Sequence, residues 1–108
     1  MSHSNLPVRN NEGFLEESSS WTPDVAIAIA AEDDMVLNEN HWEIIEFLRG
    51  FYKAHEMSPP SNRLFVKAVK DSLGEEKGNS IYLMQLFPGT PAKTASKIAG
   101  LPRPTNCL

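Results

Sequence analysis

Asn38-Glu39-Asn40-His41-Trp42-Glu43-Ile44-Ile45-Glu46-Phe47-Leu48-Arg49-Gly50-Phe51-Tyr52-Lys53-Ala54-His55 is the stretch that decides the fold. Ile44, Ile45, Leu48, Phe51, Tyr52 and His55 recur at helical spacing on one face, while Glu39, Glu43, Glu46 and Arg49 fall mostly elsewhere. A helix with so broad an apolar stripe needs other elements to cover it, and the flanking sequence supplies them. Ser58-Pro59-Pro60-Ser61 interrupts the pattern. Phe65, Ala68, Val69 and Ser72 then mark a second amphipathic helix, which Leu64 and Leu73 widen and Gly74 ends. A further helix is predicted over Asn79 to Phe87, before Pro88-Gly89. The last runs from Pro91 to Ala99, opening on a proline that loses nothing in the first turn and closing at Gly100.

Working toward the amino terminus, Thr22-Pro23-Asp24 reads as a helix start, with Thr22 as cap and Asp24 matching the positive end of the dipole. Val25-Ala26-Ile27-Ala28-Ile29-Ala30 also alternates with period two, so a strand competes. Alanine is the best helix former and a poor strand residue, which with the cap favours a helix to about Asp33. Glu12-Gly13-Phe14-Leu15-Glu16-Glu17, followed by Ser18-Ser19-Ser20 and Trp21, predicts a short strand or small hairpin. Residues 1–11 are polar and without apolar periodicity, and are expected to be disordered.

A chain of 108 residues with 41% hydrophobic side chains forms one core, so a single domain over 1–108 is expected. Its most apolar run, Val25 to Ala31, is far short of the roughly 18 residues of a membrane span. The first residues lack the apolar centre of a signal peptide. One cysteine cannot form an internal disulfide, which makes a reduced compartment the default and predicts a cytoplasmic protein. The net charge of −4 divides unevenly, because residues 1–56 carry eleven acids against Arg9, Arg49 and Lys53, and residues 57–108 three acids against seven bases. No basic stripe suits direct nucleic-acid binding, although the basic half suits an acidic protein partner.

Chemistry concentrates at the carboxy terminus. Leu101-Pro102-Arg103-Pro104-Thr105-Asn106-Cys107-Leu108 carries two prolines at alternate positions, which forbid a regular helix and favour an extended arm. From Gly100 to Cys107 such an arm spans about 20 Å at roughly 3.3 Å per residue. A thiolate is a strong nucleophile. Arg103 favours ionisation of Cys107 and the terminal carboxylate opposes it. The residues alone leave two readings of this cysteine open, a sulfur-handling thiol on a mobile tail and an incidental structural side chain. Lys97 sits where a cation suits the last helix's negative end, so capping competes with partner docking. His41 and His55, fourteen residues apart on one predicted helix, are about 21 Å apart and cannot share a metal. With no His or Cys pair at ligand spacing, no metal site is expected. Gly74, Gly78 and Gly89 do not fall at nucleotide-binding spacing, and no cofactor is expected.

The segment Pro91 to Leu108, with Trp21-Thr22-Pro23, His41-Trp42, Phe47-Leu48-Arg49, Pro59-Pro60-Ser61 and Glu76-Lys77-Gly78-Asn79-Ser80, resembles the DsrC/TusE family of sulfur-carrier proteins. The resemblance implies a mostly α fold, a small orthogonal helical bundle with a short N-terminal β-hairpin and a flexible C-terminal arm over 100–108. It implies a sulfurtransferase in which Cys107 takes sulfur as a persulfide and relays it. Gly100, Pro102, Arg103 and Pro104 would present the thiol, with Lys97, Arg63 and Lys67 as further binding candidates. Family members that work with dissimilatory sulfite reductase carry a second arm cysteine at the position of Ser96. A serine there removes the two-thiol redox cycle and leaves a single-cysteine relay of the TusE type. The implied partners are a TusBCD-type sulfur donor and a tRNA thiouridylase acceptor making 2-thiouridine, or alternatively sulfite-reductase subunits, without direct nucleic-acid or membrane contact.

Overall fold

The computed structural model describes residues 6–55 and 59–104. Five α-helices are present among the described residues: α1, Pro23–Ala31; α2, Glu39–Ala54; α3, Asn62–Leu73; α4, Ser80–Leu86; and α5, Pro91–Ile98. Local chemistry starts most of them. Thr22 Oγ1 accepts from the Val25 N–H, Ser61 Oγ from Leu64 and Asn79 Oδ1 from Tyr82. Asn38 caps α2 reciprocally: its Oδ1 accepts from the Asn40 and His41 N–H groups, while its own N–H donates to His41 Nδ1 at 3.0 Å. That bond leaves the proton of His41 on Nε2, which donates to the Leu86 carbonyl at 2.9 Å and ties α2 to α4. Both ring nitrogens are thus engaged, and His41 is a structural residue.

The longest apolar stripe is not the centre of the fold. Each of the other four helices packs chiefly on α5, only eight residues long. Ala92, Ala95, Ser96 and Ala99 are fully buried there. Small side chains let four neighbours approach one short axis, and Phe14, Ile29, Ile44, Ile45, Leu48, Phe65, Phe87 and Leu101 fill the space around it. The loop after α3 crosses its own helix closely, since a Cβ on Gly78 would fall on the Lys70 backbone.

The expected hairpin is corrected. Among the described residues there is no strand, only an isolated antiparallel bridge between Arg9 and Leu15. Asn10 Oδ1 accepts from the Glu12 and Phe14 N–H groups, so a side chain takes donors that a longer ladder would use. Ser18–Ser20 turns the chain into a 3₁₀ helix instead of closing a hairpin. Of the start expected to be disordered, residues 6–11 make defined contacts, with Arg9 bound to Glu32 through both guanidinium nitrogens; residues 1–5 lie outside the described residues. No helix among the described residues is long and apolar enough to cross a membrane.

Candidate functional site

The arm is built out of the hub helix. At the end of α5 the Leu101 N–H donates to Ser96 O at 2.9 Å and the Gly100 N–H to Lys97 O at 3.3 Å, the paired bonds of a Schellman cap. This cap requires a left-handed residue, and Gly100 has φ +78°. Leu101 is fully buried in the core cluster and Pro104 is buried, whereas Pro102 and Arg103 face solvent. The first five arm residues are therefore seated on the body at two points. Residues 105–108, Cys107 among them, lie outside the described residues.

Two side chains from distant elements fix the direction in which the arm leaves. Trp21 Nε1 donates to Ile98 O at 2.8 Å, and Arg49 Nη1 to Ala99 O at 2.7 Å. The Arg49 guanidinium lies 4.3 Å over the Trp21 ring, a cation–π contact, and Nη2 reaches Ser18 O at 3.4 Å. Burial lowers the pKa of Arg49 from its ordinary value, opposed by a smaller effect of Tyr52, but arginine stays cationic. Together these bonds satisfy carbonyls that the end of α5 leaves without helical partners. Trp21 packs so tightly that a Cβ on Gly100 would come within 2.7 Å of three of its atoms.

A charged cluster borders this root. Lys97 lies across Gly13, whose missing side chain leaves room for its Cε. Arg103 reaches Glu12 at 3.6 Å, and Arg9 pairs with Glu32 at 2.6 Å. Hydrogen bonds from Arg9 hold Glu32 below its usual carboxylate range; burial opposes this, and the charges of Arg9 and Lys97 add to the lowering. A depressed folded pKa means that the unfolded chain binds the proton first, so the contribution is complete above roughly pH 4.5 and is lost as pH falls through the folded value. The difference in melting temperature between wild type and Glu32→Gln is expected to be constant from about pH 7 to 5 and to shrink below about pH 4. It should correspond to less than about 1 kcal/mol, because both partners are partly exposed. A difference that grows on acidification would refute this assignment.

Of the residues expected at the site, Gly100, Pro102, Arg103, Pro104 and Lys97 come together at the arm root. Arg63 and Lys67 stand on α3, beside Lys70 and Asn79. Lys67 pairs with Asp71 at 3.1 Å, and no hydrogen bond or ion pair among the described residues joins either base to the arm. The positioning roles of Trp21 and Arg49 were not read from the sequence. Their signals were a tryptophan before a helix cap, an arginine off the apolar stripe of α2, and the place of both in segments that carry the family resemblance. Among the described residues no group of three His, Cys, Asp or Glu is placed to hold a metal.

Ser96 is fully buried on α5 and, among the described residues, its Oγ has no hydrogen-bond partner. Removing an unsatisfied buried hydroxyl releases its desolvation cost, so Ser96→Ala is expected to leave stability unchanged or raise it by up to about 1 kcal/mol in denaturant unfolding. A loss of that size would mean that the hydroxyl is bonded in solution.

Comparison with known proteins agrees with this architecture. The family model described as "DsrC like protein" matches residues 3–108. The chain belongs to the DsrC family. A relative named sulfurtransferase TusE from Photorhabdus laumondii is 50% identical over 97 residues, covering 90% of this chain and 86% of that protein. Among solved DsrC-family structures, Allochromatium vinosum DsrC superposes with a TM-score of 0.82 at 47% identity, covering 92% of this chain and 88% of that one. The oxidised γ-subunit of dissimilatory sulfite reductase from Archaeoglobus fulgidus superposes with a TM-score of 0.77 at 36% identity, covering 94% and 92%. The mostly helical DsrC-family fold expected from the sequence is thereby confirmed.

Proposed function

We propose that this DsrC-family protein is a cytoplasmic sulfur carrier that accepts sulfur as a persulfide on Cys107 and relays it to an enzyme forming 2-thiouridine in tRNA. The identity to sulfurtransferases named TusE carries the sulfurtransferase reading. The arm root supports the carrier form: a core-anchored helix ends in a cap whose direction two side chains from distant elements fix, and the thiol follows seven residues after Gly100. In the transfer step the Cys107 thiolate attacks the outer sulfur of a donor persulfide. The new S–S bond forms on Cys107, the donor S–S bond breaks and the donor leaves as a thiolate, with no net oxidation. Delivery repeats the exchange, with an acceptor cysteine thiolate as nucleophile and Cys107 as leaving group. Pro102 and Pro104 stiffen the extended presenter. The partners in this reading are a TusBCD-type donor complex and a tRNA thiouridylase.

Likeness to DsrC and to a sulfite-reductase γ-subunit supports a second reading, a partner protein of a sulfite-reductase complex. Ser96 favours the relay, because oxygen at that position cannot complete a two-thiol cycle. The test is incubation with a persulfide donor, followed by intact mass and tryptic mapping. Addition of one sulfur to the peptide 98–108 is the expected result, and absence of any addition would reject the carrier. Equal or preferential capture of sulfite-reductase subunits over thiouridylase by the purified protein would favour the second reading.

A further inference from the structure

Helix α1 is apolar on both sides. Val25, Ala26, Ile29 and Ala30 face the core, yet its outer side carries half-exposed Ile27 beside Ala28 and Ala31, which with Leu6 line a depression of about 490 Å³. A helix without a polar face is one covered on both sides. Asp24 and Glu32 edge the depression, and Asp33 and Asp34 follow at the end of the helix. Those last three acids stand at the negative end of the dipole, where cations are favoured and the last turn holds none. Arg9 neutralises Glu32 alone; no ion pair among the described residues engages Asp33 or Asp34.

Asp34 adds a second cost. The Met35 N–H donates to Ala30 O and the Asp34 N–H to Ala31 O, a cap that puts residue 34 in the left-handed region, where glycine is the favoured residue. Asp34 sits there at φ +58°, the one non-glycine with positive φ among the described residues. Glycine at 34 and bases around it would suit folding better, so these carboxylates cost local stability.

We infer that the outer face of α1, with its acidic edge, is the docking surface for the acceptor enzyme, whose lysine- and arginine-lined surface complements it. The identity of that enzyme rests on the tRNA-thiolation reading, since a protein that binds tRNA presents clustered bases. A second copy is disfavoured, because a two-fold contact would set Asp24, Asp33 and Asp34 against themselves. Acidic phospholipid and nucleic acid are repelled by the same edge. The placement suits delivery: α1 begins beside Trp21, which holds the arm root, so the face and the arm share one anchor.

The test uses purified thiouridylase from the same organism and the full chain, with binding followed by calorimetry. Ile27→Lys is expected to weaken binding about tenfold or more. Asp33→Asn with Asp34→Gly is expected to weaken it about fivefold at low salt, with the gap closing at high salt, while the melting temperature stays equal or rises. Loading of Cys107 by inorganic polysulfide should be unchanged in both, which separates docking from thiol chemistry. If both variants bind and supply the enzyme as wild type does, the docking inference fails alone. If wild type loads with polysulfide but neither binds nor supplies the thiouridylase, the tRNA reading fails and takes the inference with it. An Ile27-dependent dimer in sedimentation would assign the face to a second copy and overturn it.

Discussion

Cys107→Ser is expected to abolish sulfur loading completely while leaving the melting temperature within a few degrees of wild type. A serine hydroxyl is not appreciably ionised at neutral pH, whereas a thiol with an ordinary pKa near 8.5 is ionised at a few per cent and intrinsically nucleophilic. This chain has one cysteine, so no neighbouring thiol can substitute. Stability should hold because the seated part of the arm, Leu101 and Pro104, precedes the substitution. Intact mass after incubation with a persulfide donor reads the first effect and thermal unfolding the second. Equal sulfur gain by mutant and wild type would place the chemistry elsewhere.

Gly100→Ala is expected to damage folding and delivery together. A left-handed alanine costs about 1–2 kcal/mol. Its Cβ would meet Trp21 Cδ1 at 2.5 Å and Cβ and Cγ at 2.7 Å, an overpacking that adds about 1–3 kcal/mol. A total of about 2–5 kcal/mol lowers the melting temperature by roughly 10–25 °C in a domain of this size. Any relief of the clash moves Trp21 from the Ile98 carbonyl and disturbs Arg49 stacked on it, so the arm leaves in another direction. Protein-to-protein transfer should fall while loading by polysulfide persists. Trp21→Ala in the same chain removes the contacts with Cδ1 and Cγ but keeps the one with Cβ and the backbone part, so the two substitutions should couple by about 0.5–2 kcal/mol in a double-mutant cycle. Strict additivity would show that the close approach has no energetic consequence.

These residues also mark the boundary of what sequence reading captured. Caps were legible because they are local: Thr22, Gly74 and Gly100 act within a few positions of themselves, and the helices they bound lie close to the predicted ranges. The strand alternative for residues 25–30 is excluded by α1, where the threonine cap and alanine content outweigh the alternation. The organising role of α5 was hidden because close packing selects small side chains there, and alanine and serine give little hydrophobic periodicity. The bonds from Trp21 and Arg49 to the arm root join residues 77 and 50 positions apart, a distance that no spacing argument spans. The hairpin was over-read: Phe14 and Leu15 are core residues, but Asn10 diverts the backbone donors a ladder would need.

Ser96 gives the family resemblance an evolutionary dimension. Its oxygen is enclosed, unbonded and held on the helix around which every other helix is arranged. Exchange of that oxygen for sulfur forfeits no hydrogen bond and calls for little rebuilding of the backbone. A single-thiol messenger and a two-thiol redox partner are then neighbours in sequence space, separated by one atom.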